Sequence, residues 1–173
     1  MYFGSVSGIV TEGVSDYIYI HTMAKHLGYE LSNYSFIPSV GATNCINICT
    51  ILYGWGCPFF AVFDYDTEGV TNGGEVLRKE FLFEFEKQYC YIKFVTQKDV
   101  DSHSYKELPY EIEDLVTKDE LEKFARIKGI GENISKTLKA KLFSNAVEEG
   151  YELGAQCKEN FKNLLDRITK TYQ

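Results

Sequence analysis

Asp64 and Asp66 lie two residues apart directly after the apolar run Phe59-Phe60-Ala61-Val62-Phe63. An extended chain alternates its side chains, so both carboxylates project the same way, and Glu68 continues the row. Carboxylates held together repel one another unless a cation sits among them, and hard oxygen donors suit Mg²⁺ or Mn²⁺. Glu12 closes a second apolar run, Ser7 to Thr11, and Asp16 stands one helical turn beyond it. Acids at the carboxyl ends of parallel strands converge on one rim of a sheet, where open α/β folds hold their ligands. The spacing therefore predicts a divalent-metal site containing Glu12, Asp16, Asp64 and Asp66. Each acid taken alone has an ordinary alternative, a solvated residue in a turn after a strand.

The elements that would position these acids alternate along the first half of the chain. Strands are expected at Ser7–Thr11, Ser35–Pro38, Pro58–Phe63 and Tyr91–Val95. Helices are expected from about Ser15 to Leu27, Asn44 to Tyr53 and over residues 75–88, with Gly28 and Gly54 as stops. This β-α-β order with short connections implies a parallel sheet with right-handed crossovers. Residues 99–110 read as a polar loop. Helical patterns follow from Asp119, over about 134–149 and over 154–172, so the expected division is an α/β core at 1–117 and a helical C-terminal extension of the same domain at 118–173.

Charge supports that division. The 173-residue chain carries a net charge of −7. Residues 1–117 hold 7 basic and 16 acidic side chains, whereas 118–173 hold 11 and 9. Bulk attraction to nucleic acid is thereby excluded, though not contact with phosphates through metal ions. The five cysteines lack metal-type pairing and read as reduced thiols of a cytoplasmic protein. No basic-then-apolar leader opens the sequence. The uncharged stretch Leu31–Phe63 contains Pro38, the Gly54-Trp55-Gly56 turn and Pro58, which argues for core strands and a helix rather than a membrane span. Trp55 in that turn reads as a lid on the core.

Ile9-Val10-Thr11-Glu12-Gly13-Val14-Ser15-Asp16 and Phe63-Asp64-Tyr65-Asp66-Thr67-Glu68-Gly69 together resemble the Toprim domain of topoisomerases, primases and several nucleases. The Phe36–Gly41 turn and Glu111-Ile112-Glu113-Asp114-Leu115 narrow the resemblance to the overcoming-lysogenization-defect (OLD) nucleases, over about residues 8–145. The fold implied is a Toprim-like (Rossmann-like) α/β domain with a central parallel sheet flanked by helices. The resemblance implies that Glu12, Asp16, Asp64 and Asp66 ligate metal and that Glu113 ligates a second ion. Lys136, with Lys139 and Lys141 as alternatives, would stabilise charge on the scissile phosphate. The implied activity is two-metal phosphodiester hydrolysis with Mg²⁺ or Mn²⁺, a DNA endonuclease related to phage defence.

That family normally couples the domain to an ABC-type ATPase, but no Walker motif occurs here, so ATP control would lie outside this chain. The expected partners are DNA, an ABC-type ATPase domain or subunit and, as one option, a second copy in a homodimer; no membrane is involved. Two rival readings remain open. A haloacid-dehalogenase-type phosphatase would use Asp64 as nucleophile but leaves Glu12 and Glu113 without work. A non-catalytic module would bind DNA or a partner only. Two further segments carry readings of their own. Ser39, Gly41 and Thr43 could hold a phosphate through backbone N–H groups, with a simple turn preferred. Phe124–Ile134 resembles a helix-hairpin-helix element, or equally a helix-loop-helix with glycine caps.

Overall fold

The computed structural model describes residues 7–81, 88–94, 97–129 and 134–170. Four parallel strands form one sheet in the order β2-β1-β3-β4. They are β1 (Ser7–Thr11), β2 (Tyr34–Pro38), β3 (Phe59–Phe63) and β4 (Tyr89–Tyr91). The inner pair β1 and β3 is buried along its whole length, which is why both read as unbroken runs of apolar or small residues. Alternation assigns their side chains to two cores. Ile9, Phe60 and Val62 face one helical layer, and Val10, Phe59, Ala61 and Phe63 face the other.

The first layer is built on α1 (Val14–Leu27), whose Tyr19, Ile20 and Met23 are fully buried. The chain leaves α1 through Gly28 at φ 75°, a left-handed cap that glycine adopts without strain. Against α1 pack α6 (Lys136–Glu148) and α7 (Ala155–Lys170). Tyr19 meets Phe143 with ring centroids 5.1 Å apart, and Thr22 donates to Ser144 at 2.8 Å. Residues of both expected segments, 1–117 and 118–173, thus share one apolar cluster. Between them run α5 (Lys118–Lys128) and its cap Gly129 at φ 63°.

The second layer holds α2 (Ala42–Gly54) and a helical stretch that opens as a π-helix, Glu68–Gly74, and continues as α3 (Glu75–Phe81). The expected helix at 75–88 therefore begins a turn and a half early, and residues 82–87 lie outside the described residues. The cause is packing: a Cβ at Gly73 would sit 2.6 Å from the Phe63 ring, so the glycines lay this backbone directly on β3 and β4.

Three expectations are corrected. The fourth strand is Tyr89–Tyr91 rather than Tyr91–Val95, because the chain turns at Lys93 (φ 73°) and Phe94 instead packs on Tyr65, centroids 4.4 Å apart. Val95 lies outside the described residues. The polar segment after it carries a short helix, α4 (Gln97–Asp101). Trp55 is not a lid: it is 76% exposed at the end of α2. Of the span Phe124–Ile134 that resembles a helix-hairpin-helix element, residues 130–133 lie outside the described residues. All five cysteines are free thiols. No helix among the described residues is long and apolar enough to cross a membrane.

Candidate metal centre

The register Thr11↔Pro38 and Thr11↔Val62 brings the carboxyl ends of β1, β2 and β3 to one level. Glu12 leaves β1 there and Asp64 leaves β3. The two are joined directly, Glu12 Oε1 accepting the Asp64 N–H at 2.8 Å. Burial pushes the Glu12 carboxyl up to about 8, with the charges of Asp16, Asp66 and Glu68 adding to the effect of that burial. Burial likewise lifts Asp64 to about 9, reinforced by Asp16, Glu12, Glu113 and Glu111. These carboxyls are strained as anions in the absence of a cation.

Asp16 is buried at the third position of α1 and caps the helix. Its Oδ2 accepts the Gly13 N–H at 2.8 Å and its Oδ1 the Ser15 hydroxyl at 3.3 Å. Burial raises it to about 6, opposed by that Gly13 N–H and aided by Glu113. Asp66 Oδ1 accepts the Gly69 N–H at 2.7 Å. Gly69 is indispensable in this position, since a Cβ there would run into the Asp64 carbonyl and stand 2.8 Å from Glu12 Oε1.

The second half of the site arrives from far along the chain. Tyr65 lies between the two aspartates but points the opposite way, into the core, where its hydroxyl donates to the carbonyl of His103 at 2.6 Å. Its backbone pairs with Tyr110 in an isolated antiparallel bridge, N–H to carbonyl at 2.7 and 2.9 Å. This bridge delivers the next residues, Glu111 and the 3₁₀ helix Ile112–Leu115, to the rim. The Ile112 N–H then donates to Asp64 Oδ1 at 3.1 Å.

Carboxylate oxygens of Asp64, Asp66 and Glu111 all lie within 4.8 Å of one another, a spacing that admits one metal ion. Glu111 was not among the expected ligands. Its signal in the sequence was the Glu-x-Glu pair with Glu113, the same spacing as Asp64 and Asp66. Glu113 itself is brought to the same rim, where both of its oxygens are buried without a hydrogen-bond partner. Burial holds its carboxyl above the usual range, with Lys136 acting against this. Buried carboxylate oxygens with no donor fit a role as ligands to a cation.

Lys136, the first residue of α6, places Nζ 2.7 Å from Glu111 Oε2. Burial disfavours its charge, but Glu111, Glu113 and Asp64 together raise its pKa. Lys139 and Lys141 are exposed on the next turn of α6. The turn after β2 works as a plain turn: Ser39 N–H donates to the Thr11 carbonyl and Gly41 N–H to the Glu12 carbonyl, both at 2.9 Å. Those donors are spent on holding Glu12 in place.

A four-stranded parallel sheet in this order, with a glutamate after β1, an Asp-x-Asp after β3 and helices on both faces, defines a Toprim-like α/β domain, a class that binds divalent metals. Within that class the chain is similar to the OLD type: residues 5–66 match the family model described as overcoming lysogenization defect protein-like, TOPRIM domain. The matched stretch contains Glu12, Asp16, Asp64 and Asp66 and ends before Glu111, Glu113 and Lys136. Comparison with curated proteins and with solved structures gives no match.

Proposed function

We propose that this domain is a Mg²⁺- or Mn²⁺-dependent DNA endonuclease that hydrolyses phosphodiester bonds with two ions. The observation that carries the reading is the Asp64–Asp66–Glu111 cluster lying beside the buried, unpartnered oxygens of Glu113. Glu12, Asp64, Asp66 and Glu111 would hold one ion, and Glu113 with Asp16 would hold the other. When bound, such ions supply an activated water and stabilise the departing oxygen. Glu12 fixes the start of the Asp-x-Asp loop through the Asp64 N–H, and the Ile112 N–H fixes the Asp64 carboxylate. Lys136 contributes a point charge at the rim for the scissile phosphate.

The phosphatase reading would make Asp64 the attacking group and give Glu12, Glu111 and Glu113 no part in the chemistry. The OLD-like match supports extending the reading to a phage-defence role and to an ABC-type ATPase partner; free, mostly buried thiols suit a reducing cytoplasm. The test is plasmid nicking with Mn²⁺ by the wild type and by Asp64→Asn. Nicking by the wild type should fall about a hundredfold or more in the variant, by analogy with the loss of one transition-state contact. Calorimetric Mn²⁺ binding without any nicking would reduce the domain to a non-catalytic module.

A further inference from the structure

Outside the metal centre, a groove of about 710 Å³ runs between α1 and the edge strand β2. Tyr17, His21 and Lys25 line it from α1 at helical spacing i, i+4, i+8, so one row of the helix presents a phenol, an imidazole and an ammonium in succession. Tyr34 and Phe36 face them from β2, and Tyr29 closes the far end. The rings form a continuous surface: Tyr17 and Phe36 have centroids 5.2 Å apart, Tyr17 and His21 5.4 Å, His21 and Phe36 6.2 Å. Tyr17 and Phe36 are half-buried and so held in place, while His21 and Lys25 are exposed.

Along the chain, the near end of the groove adjoins residues of the metal centre. Tyr17 follows Asp16, and Pro38 at the near end precedes Ser39, whose hydroxyl donates to the Glu12 carbonyl at 3.2 Å. A chain of net charge −7 cannot grip a polyanion by counterion release alone. Contacts that work without net positive charge are needed, and stacking of unpaired bases on aromatic rings is such a contact. Lys25 remains for the backbone; its ion pair with Glu148 is exposed on both sides, so a phosphate can displace it at little cost.

We infer that the Tyr17–His21–Phe36 face is a binding track for single-stranded nucleic acid leading into the metal centre. This inference rests on the hydrolase reading and makes the preferred substrate an unpaired strand, a frayed end or the locally unpaired region of a supercoiled plasmid. Bases lie on the rings, the phosphates pass Lys25, and the strand reaches the acids at the Tyr17 end.

The test is fluorescence anisotropy with labelled oligothymidylate in EDTA, where no cleavage intervenes. Tyr17→Leu and Phe36→Leu keep apolar bulk between α1 and β2, and circular dichroism checks their folding. Each ring removed should weaken single-strand binding about five- to hundredfold, while duplex binding and Mn²⁺ titration stay as in the wild type. Wild-type affinity in both folded variants overturns the inference, as does a wild type that binds no single strand. A dimer in gel filtration that Ser35→Pro dissolves, with no effect of the ring variants on oligothymidylate, would show that the β2 edge pairs with a second copy and would also overturn it. Ring-dependent binding without nicking leaves the track standing and defeats the hydrolase reading; nicking without ring-dependent binding does the reverse.

Discussion

Glu113 has two buried oxygens and no donor for either, and an uncompensated buried polar group costs on the order of 1–3 kcal/mol, more when charged. Removing its charge should relieve the metal-free protein and impair the loaded one. Glu113→Gln is expected to melt no lower than wild type in EDTA, yet to show a much smaller rise in Tm with Mn²⁺. An unchanged Mn²⁺ response would make Glu113 a bystander. The same logic sets a pH dependence. Glu12 and Asp64 have folded values of about 8 and about 9, against about 4 in an unfolded chain. Folding favours their protonated forms, so their contribution to stability is complete below about pH 4 and is lost as the pH rises through 8 to 9. The metal-free Tm should therefore fall between about pH 5 and 9, and Mn²⁺ should restore it most at the alkaline end. A flat profile in EDTA would contradict the buried-carboxyl account. Lys136→Ala should lower turnover about a hundredfold or more. It should not weaken Mn²⁺ binding, because the lysine holds Glu111 only through an ion pair that a metal can replace. Lys139→Ala and Lys141→Ala should change DNA affinity, read from the salt dependence of binding, rather than turnover.

At the scale of elements, what could be read from the sequence was what local pattern dictates. Buried runs marked β1 and β3, and Gly28 marked the end of α1, because burial on both faces and a left-handed cap leave compositional traces. β4 was misplaced since the positive φ at Lys93 has no signal of its own in a non-glycine residue. The π-helix at Glu68–Gly74 was illegible for a different reason. Its register follows from how closely Gly73 and Gly74 lie on Phe63 and Tyr91, a tertiary contact. Glu111 went unassigned because its position depends on the Tyr65–Tyr110 bridge, which joins two residues far apart along the chain. Gly69→Ala tests the element that seats the acids. Its Cβ would meet the Asp64 carbonyl and Glu12, so overpacking should cost about 1–3 kcal/mol in urea unfolding and weaken Mn²⁺ binding as well. A loss of stability with unchanged Mn²⁺ affinity would place the strain elsewhere.

For the molecule as a whole, α1 is the shared wall between the sheet and the C-terminal helices. The mildly basic composition after residue 117 suggested an extension, but composition does not show that Phe143, Phe161 and Leu165 complete the core over Tyr19 and Ile20. Phe161 is fully buried and 6.4 Å from the Tyr19 ring, centroid to centroid. Phe161→Ala should destabilise the entire domain by about 3–5 kcal/mol in a single cooperative transition followed by circular dichroism. Two separate transitions, with the sheet surviving the first, would show that the C-terminal helices fold apart from it.

The ion pair between Lys136 and Glu111 has one more consequence. The acids are rooted in strand ends and in the 111–115 segment tied to them, whereas the lysine rides on α6, which rests on α1 through Phe143 and the Thr22–Ser144 contact. Sliding α6 along α1 would therefore carry off the cation and leave the acids where they stand. On the hydrolase reading, such a slide would work as a clutch, disconnecting the charge from the phosphate while the metal ligands stay engaged.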